Sequence, residues 1–459
     1  MAERLSTLDS SFLYLEEPGT PMHVGGVLIC EMPAGGVEAL ADLVAARLSL
    51  VPRYRQRVAE VPGHLANPVW VDDPDFELDY HVRRSGLPRP GTETQLLDLV
   101  SRLMARPLDR RRPLWEAYLV EGVEGGRVAV VTKTHPALVD GLSAIDIGQV
   151  LLDVAPDAPA PEPVEWRPRR APRGTELLLQ ALDEYVRRPS SIVDKARDAV
   201  SDVRSTAARM GGAAGGLLRT ARSAVLSAPN SPLNAPVGGH RRVAVARAEL
   251  AEVKELRTLF GGTVNDVLLT VVTGALREWL LSRGEPMTGG RSVRALVPVS
   301  LHDDEGPEGN RVSSYLVDLP VGEPNPRVRL TRLSYAMRGV AAHGQSVGAD
   351  SLIALTGFAP PTLHALGARA ARGLSRRLFN LVVTNVPGPQ VPLYAAGGQM
   401  LEVFPVVPLA RGQGLSIGMT SYNGRVFFGL NADPDTVGDV HVLADLIEQE
   451  VGELVENAR

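Results

Sequence analysis

The chain has 459 residues, a formal net charge of −5, 44% hydrophobic residues and 22% charged residues. Two domains with ample core are expected at that length, and the composition excludes wholesale disorder. The acidic total, without any basic stretch interleaved with aromatics, argues against a nucleic-acid partner.

In chain order, the N-terminus Met-Ala-Glu-Arg-Leu-Ser lacks the apolar stretch of a signal peptide. Nowhere do about 18 apolar residues run uninterrupted, so a cytoplasmic protein that does not span the membrane is expected. Residues 24–31 read as a strand that contains the single cysteine, Cys30. It is expected to be a buried core residue in a reducing compartment, and the absence of zinc spacing among Cys and His predicts no metal. Val37, Leu40, Val44, Leu48 and Val51 follow at helical spacing, then a helix from Thr94 to Met104. Arg127–Lys133 is dense in β-branched residues and predicts a strand, and Gly141–Val154 returns to helical spacing.

From Ala155 to Pro172 the chain is proline-rich and reads as a linker. Thr175–Leu226 has helical composition, broken at Pro189, Gly211-Gly212 and Gly215-Gly216. Arg167–Arg222 holds twelve Arg or Lys against six Asp or Glu. Such a segment either lies on an anionic membrane surface or is a solvated connector. A second α/β pattern opens with helical spacing at Leu250, Val253, Leu256 and Leu259, followed by a helix Val264–Leu281 and a strand Val293–Ser300. Strands Leu381–Val386, Leu415–Ser421 and Arg425–Asn431 and a helix Val440–Val455 complete it. The predicted organisation is a mixed α/β chain with domains at 1–154 and 240–459, joined by a connector at 155–239.

At the junction of the predicted strand and helix lies Lys133-Thr134-His135-Pro136-Ala137-Leu138-Val139-Asp140-Gly141-Leu142-Ser143. Elsewhere stand Leu5-Ser6-Thr7-Leu8-Asp9-Ser10-Ser11-Phe12, Pro21-Met22-His23-Val24-Gly25, Pro113-Leu114-Trp115-Glu116 and Thr263-Val264-Asn265-Asp266-Val267. Leu296–Ser300, Gly309-Asn310-Arg311, Thr384–Pro389, Gly414-Leu415-Ser416 and Ser421-Tyr422 follow. In order and nearly end to end, these resemble the bacterial wax ester synthase/diacylglycerol acyltransferase family. The motif around His135 is more distantly similar to chloramphenicol acetyltransferase and peptide-synthetase condensation domains.

The resemblance implies two chloramphenicol-acetyltransferase-like mixed-sheet domains packed around a central substrate tunnel. Long-chain acyl-CoA would enter as co-substrate and diacylglycerol or a fatty alcohol as acceptor, giving triacylglycerol or wax ester. No bound cofactor or metal is implied, and a peripheral membrane or lipid-droplet surface is an expected partner.

In the family motif, His-His-x-x-x-Asp-Gly, the second His is the general base. Here Pro136 holds that position, His135 the first. Acyl transfer from a thioester to an alcohol needs a group to take the hydroxyl proton, worth about 10²- to 10⁴-fold, and proline has none. Two readings stay open: His135 serves as base, or the chain is a non-catalytic acyl-CoA- or lipid-binding homologue. Strand alternation sets His135 and residue 136 on opposite faces, so the first reading needs a local kink. By resemblance Asp140 holds the motif loop, Gly141 permits the turn into the helix, and Asn265 and Asp266 lie near the channel. Capping of the following helix by Thr263 or Asn265 is the alternative for that segment. His23 and His81 are structural residues or replacement bases, Trp115 is a core anchor, and Ser143 lacks a neighbouring base.

Overall fold

The computed structural model describes residues 3–17, 19–138, 151–159, 166–187, 228–301, 311–343 and 378–456. Asp140, Gly141 and Ser143, most of the predicted helix 141–154 and most of the basic connector lie outside the described residues.

Two six-stranded sheets dominate. The first runs in the order β11 (Tyr394–Ala395), β12 (Gly398–Val406), β1 (Val24–Glu31), β6 (Arg127–Thr134), β5 (Trp115–Val123), β4 (Val82–Gly86). The second runs β7 (Arg242–Glu249), β14 (Arg425–Ala432), β13 (Leu415–Tyr422), β10 (Leu381–Pro387), β8 (Val293–Leu301), β9 (Arg311–Leu319). A hairpin of β2 (Gln56–Ala59) and β3 (Val69–Asp72) stands apart. Parallel pairs, β4 with β5 and β10 with both β8 and β13, mix with antiparallel ones. Central strands such as β6 are buried on both faces, which is why they read as near-continuous apolar runs.

The helices follow from their apolar spacing and caps. Helix α1 (Thr7–Leu15) is capped by Ser6, and α2 (Gly36–Arg47) buries Val37, Leu40, Leu43 and Val44. The helical spacing extends to Val51, but α2 ends at Arg47 and a 3-10 turn covers Leu48–Leu50, consistent with the helix-breaking Pro52 just beyond. After the short α3 (Leu78–His81), α4 (Glu93–Met104) opens on a reciprocal capping box between Thr92 and Gln95. Helix α5 (Gly174–Arg187) lays Leu177 and Ala181 against Val61, Val69 and Val71 of the β2–β3 region. In the second half, α6 (Leu250–Phe260), α7 (Val264–Ser282), α8 (Pro326–His343) and α9 (Val440–Glu456) pack with the second sheet. Helix α7 is buried almost throughout, and Gly274 on it leaves room for the buried Arg329–Glu450 ion pair at 2.8 Å.

The sheets are not each built from one continuous half of the chain. Strand β12 comes from the C-terminal half yet pairs with β1 in the first sheet. Arg247 on β7 grips Glu402 on β12 through two contacts of 2.8 Å and also binds Glu93 on α4. The Val243 backbone N–H donates to Ser101 Oγ at 2.9 Å, so α4 sits between the sheets. Leu151–Val154, expected to end a helix, are not helical. Asp153 pairs through its backbone with Tyr394 and through its carboxylate with Arg47 at 2.5 Å, which holds this stretch extended against the first sheet.

Candidate active site

The site lies at the end of β6. Val24 pairs with Thr134 on one side and Trp115 pairs with Thr134 on the other. Pairing with β5 persists one residue further, where the His135 N–H donates to the Leu114 carbonyl at 2.9 Å. The chain then turns through a 3-10 helix, Pro136–Leu138, against which α1 packs. The turn thus begins at the proline, which fixes its own φ and lacks an N–H for the sheet, while His135 keeps the strand's alternation and is not brought round to the side of residue 136.

His135 is buried, and the Ala137 N–H donates to its Nδ1 at 3.1 Å. The neutral ring therefore carries its proton on Nε2, which has no partner among the described residues. Burial pushes its pKa down to about 4, against a smaller upward pull from Glu16.

Directly across from this turn is His23. The β1–β6 register runs Gly25–Lys133 and Val24–Thr134, so its next pair is His23–His135. Cross-strand partners share a face, which places His23, Lys133 and His135 together on one side of the sheet. Gly25 on that face is in close contact with Met104 of α4, so this face looks toward α4 and the second sheet. The His23 Nδ1 has no partner among the described residues. Burial foremost, then the positive charge of Lys133, holds its pKa well below the ordinary histidine value.

Lys133 is fully buried in the same cluster. Its Nζ donates to the Arg106 carbonyl at 2.8 Å and meets Glu116 Oε2 at 3.3 Å. Glu116 also accepts from the Tyr118 hydroxyl at 2.7 Å and lies 3.5 Å from Arg83. Desolvation lowers the lysine's pKa and Glu116 opposes it. This polar network was missed in the sequence, although a lysine inside a β-branched strand was its signal.

His81 belongs to the other face. It stacks between Phe76 at 5.1 Å and Trp115 at 4.7 Å, and its Nδ1–H donates to the Trp115 carbonyl at 2.7 Å. Trp115 is fully buried, with its indole N–H on the Tyr54 carbonyl at 2.7 Å, as expected of a core anchor. Cys30 is likewise fully buried, and burial pushes its thiol pKa up to about 12.

In the second half, Thr263 caps α7: Thr263 Oγ1 accepts from the Asp266 N–H at 3.1 Å and Asp266 Oδ2 accepts from the Thr263 N–H at 2.8 Å. Asp266 is buried and also accepts from the Ser334 hydroxyl at 3.1 Å. Asn265 is not the cap; its Oδ1 accepts from Asn385 Nδ2 at 3.0 Å, joining two sequence motifs 120 residues apart. A separate cleft of about 450 Å³ is lined by Trp70, Asp72, Arg169, Arg170 and Glu176 among others, and by no predicted site residue. Among the described residues no group of His, Cys, Asp and Glu is placed to hold a metal, and no single helix is long and apolar enough to cross a membrane.

The family model of the wax ester synthase/diacylglycerol acyltransferase catalytic domain matches residues 5–268, and that of its C-terminal domain residues 308–455. The chain belongs to this family. A probable diacylglycerol O-acyltransferase of Mycobacterium tuberculosis is 36% identical over 98% of the chain and 95% of its own length. A second from that organism is 46% identical over 57% of the chain and 97% of its own length. Among solved structures, the wax ester synthase/diacylglycerol acyltransferase of Marinobacter aquaeolei VT8 superposes with a TM-score of 0.71 at 28% identity, covering 99% of each chain. The first condensation domain of the calcium-dependent antibiotic synthetase gives a TM-score of 0.60 at 16% identity, a likeness of fold alone. The architecture is thus the two-domain chloramphenicol-acetyltransferase-like fold, and the protein is an acyltransferase of the wax ester synthase/diacylglycerol acyltransferase type.

Proposed function

We propose that this family member transfers a long-chain acyl group from coenzyme A to the hydroxyl of diacylglycerol or of a fatty alcohol. The reading rests on the family assignment together with one feature of the site: a buried, polar sheet end that faces the second sheet and carries ring nitrogens lacking partners among the described residues. Buried polar groups are rarely left unpaired except where chemistry or a ligand uses them. The substrates would meet in a tunnel between the two sheets. The donor brings its own activated thioester, so no resident cofactor or metal is proposed.

On this geometry His135 acts as a hydrogen-bond donor through Nε2–H, since Nδ1 is occupied by the Ala137 amide. The roles of Asp140 in holding the motif loop and of Gly141 in the turn follow the family pattern. Asn265 and Asp266 shape the second-half wall through Asn385, Thr263 and Ser334, without proton chemistry of their own. The basic segment 167–222 supports attachment to an anionic membrane or lipid-droplet surface. Liposome co-sedimentation unchanged after its deletion would remove that part.

The test is coenzyme A release from a long-chain acyl-CoA with dioleoylglycerol or hexadecanol. Release that requires both substrates supports the reading; a folded protein that releases none overturns it. Pro136 favours one second reading, an acyl-CoA-binding homologue without turnover. Saturable acyl-CoA binding by an inert wild type, with activity appearing in Pro136→His, would establish it.

A further inference from the structure

The family motif's base position holds proline, so transfer to an alcohol requires a proton acceptor from elsewhere, presenting a lone pair toward the second sheet, where the substrates would meet. His81 has an unpartnered Nε2 but belongs to the opposite face with Trp115. His135 offers a donor. Lys133 is engaged by Glu116 and the Arg106 carbonyl.

His23 meets the requirement. It lies opposite His135 by strand register and on the face that looks toward the second sheet. It is 3% exposed. Its Nδ1 is buried and has no partner among the described residues, which leaves that nitrogen free to present a lone pair to a substrate hydroxyl. Arg241, at the entry to β7, donates to the carbonyl of Gly19, just ahead of His23 in the chain, at 2.6 Å, so His23 sits near where the two halves of the chain meet.

We propose that His23 Nδ1 is the general base of this protein, with His135 Nε2–H steadying the same hydroxyl oxygen from across the strand pair. The inference rests on the acyltransferase reading above. In the first step the alcohol oxygen bonds to the thioester carbonyl carbon while its proton passes to His23 Nδ1. In the second, the carbon–sulfur bond breaks and the thiolate takes that proton, leaving an ester and free coenzyme A. Both ring nitrogens then carry hydrogen only in the intermediate. The buried setting and Lys133 disfavour a charged ring at rest, so His23 stays neutral and ready, and the oxyanion formed as the proton moves supplies the compensating charge.

The experiment compares wild type, His23→Ala and His23→Gln for turnover with hexadecanol and a long-chain acyl-CoA, alongside acyl-CoA binding and thermal unfolding. The expected result is a kcat lower by about 10²- to 10⁴-fold in both variants, with acyl-CoA affinity within threefold of wild type. Added imidazole should restore His23→Ala at least tenfold, following the free-base fraction of imidazole. An active wild type with His23 variants within tenfold of it overturns this inference and leaves the acyltransferase reading standing. Loss without rescue, or with acyl-CoA binding lost in parallel, makes His23 structural and also overturns it. An inert wild type overturns both.

Discussion

The Ala137 amide donates to His135 Nδ1 at 3.1 Å, two residues along the chain. This contact turns the surviving histidine of the motif so that its outward nitrogen is a donor. Pro136 makes it possible by ending the strand in a 3-10 turn that brings residue 137 back over the ring.

Three buried histidines predict acid sensitivity. His81 and His135 have pKa values lowered to about 4, and His23 lies well below its ordinary value, chiefly through burial. In the unfolded chain each titrates near 6.5. Between these values the unfolded state binds more protons, so stability is full above about pH 6.5 and falls as the pH drops toward 4. For His81 alone the loss by pH 4 is roughly 3 kcal/mol. Denaturant midpoints measured from pH 7.5 to 4.5 should fall steeply for wild type and more gently for His81→Phe.

Lys133 and Glu116 form a buried pair. Lys133→Met removes the buried cation beside Glu116, leaving the carboxylate only the Tyr118 hydroxyl and the half-buried Arg83, and should cost about 3–5 kcal/mol in urea unfolding. The double change Lys133→Met/Glu116→Gln should cost less than the two single changes together, because the buried carboxylate is removed along with its buried cation. A double-variant cost equal to the sum of the two single costs would show that the pair is not coupled.

Asn265 and Asn385 couple α7 to β10. Asn265→Ala and Asn385→Ala are each expected to reduce turnover, and the double variant to lose less than the sum, by about 0.5–3 kcal/mol in a double-mutant cycle. Additive losses would mean that the two side chains act separately.

At Gly388, in the segment Asn385–Pro389, a Cβ would lie 2.4 Å from the Ser421 carbonyl oxygen. That atom belongs to the backbone of β13, whose neighbour pairing runs through Pro387 and Ser421, so little can yield. Gly388→Ala should destabilise by about 1–3 kcal/mol, measured by thermal unfolding.

The sequence by itself determined the family, the α/β class and many of the elements. Strands 127–134, 293–301, 381–387, 415–422 and 425–432 and helices 264–282 and 440–456 agree with their expected ranges to within a residue. Their apolar periodicity and caps are local and can be read along the chain. Strand β5 was not anticipated because Glu116 and Tyr118 interrupt its apolar run, and β12 not at all, since its alternation serves a sheet formed by the other half of the chain. Motif spacing also marked His135, Pro136 and Asn265. What only the tertiary structure decided is partnership: that His23 stands opposite His135, that Lys133 answers Glu116, and that Asn265 answers Asn385. Strand register depends on contacts between residues more than 100 positions apart, and no local pattern in the chain encodes which strands will become neighbours.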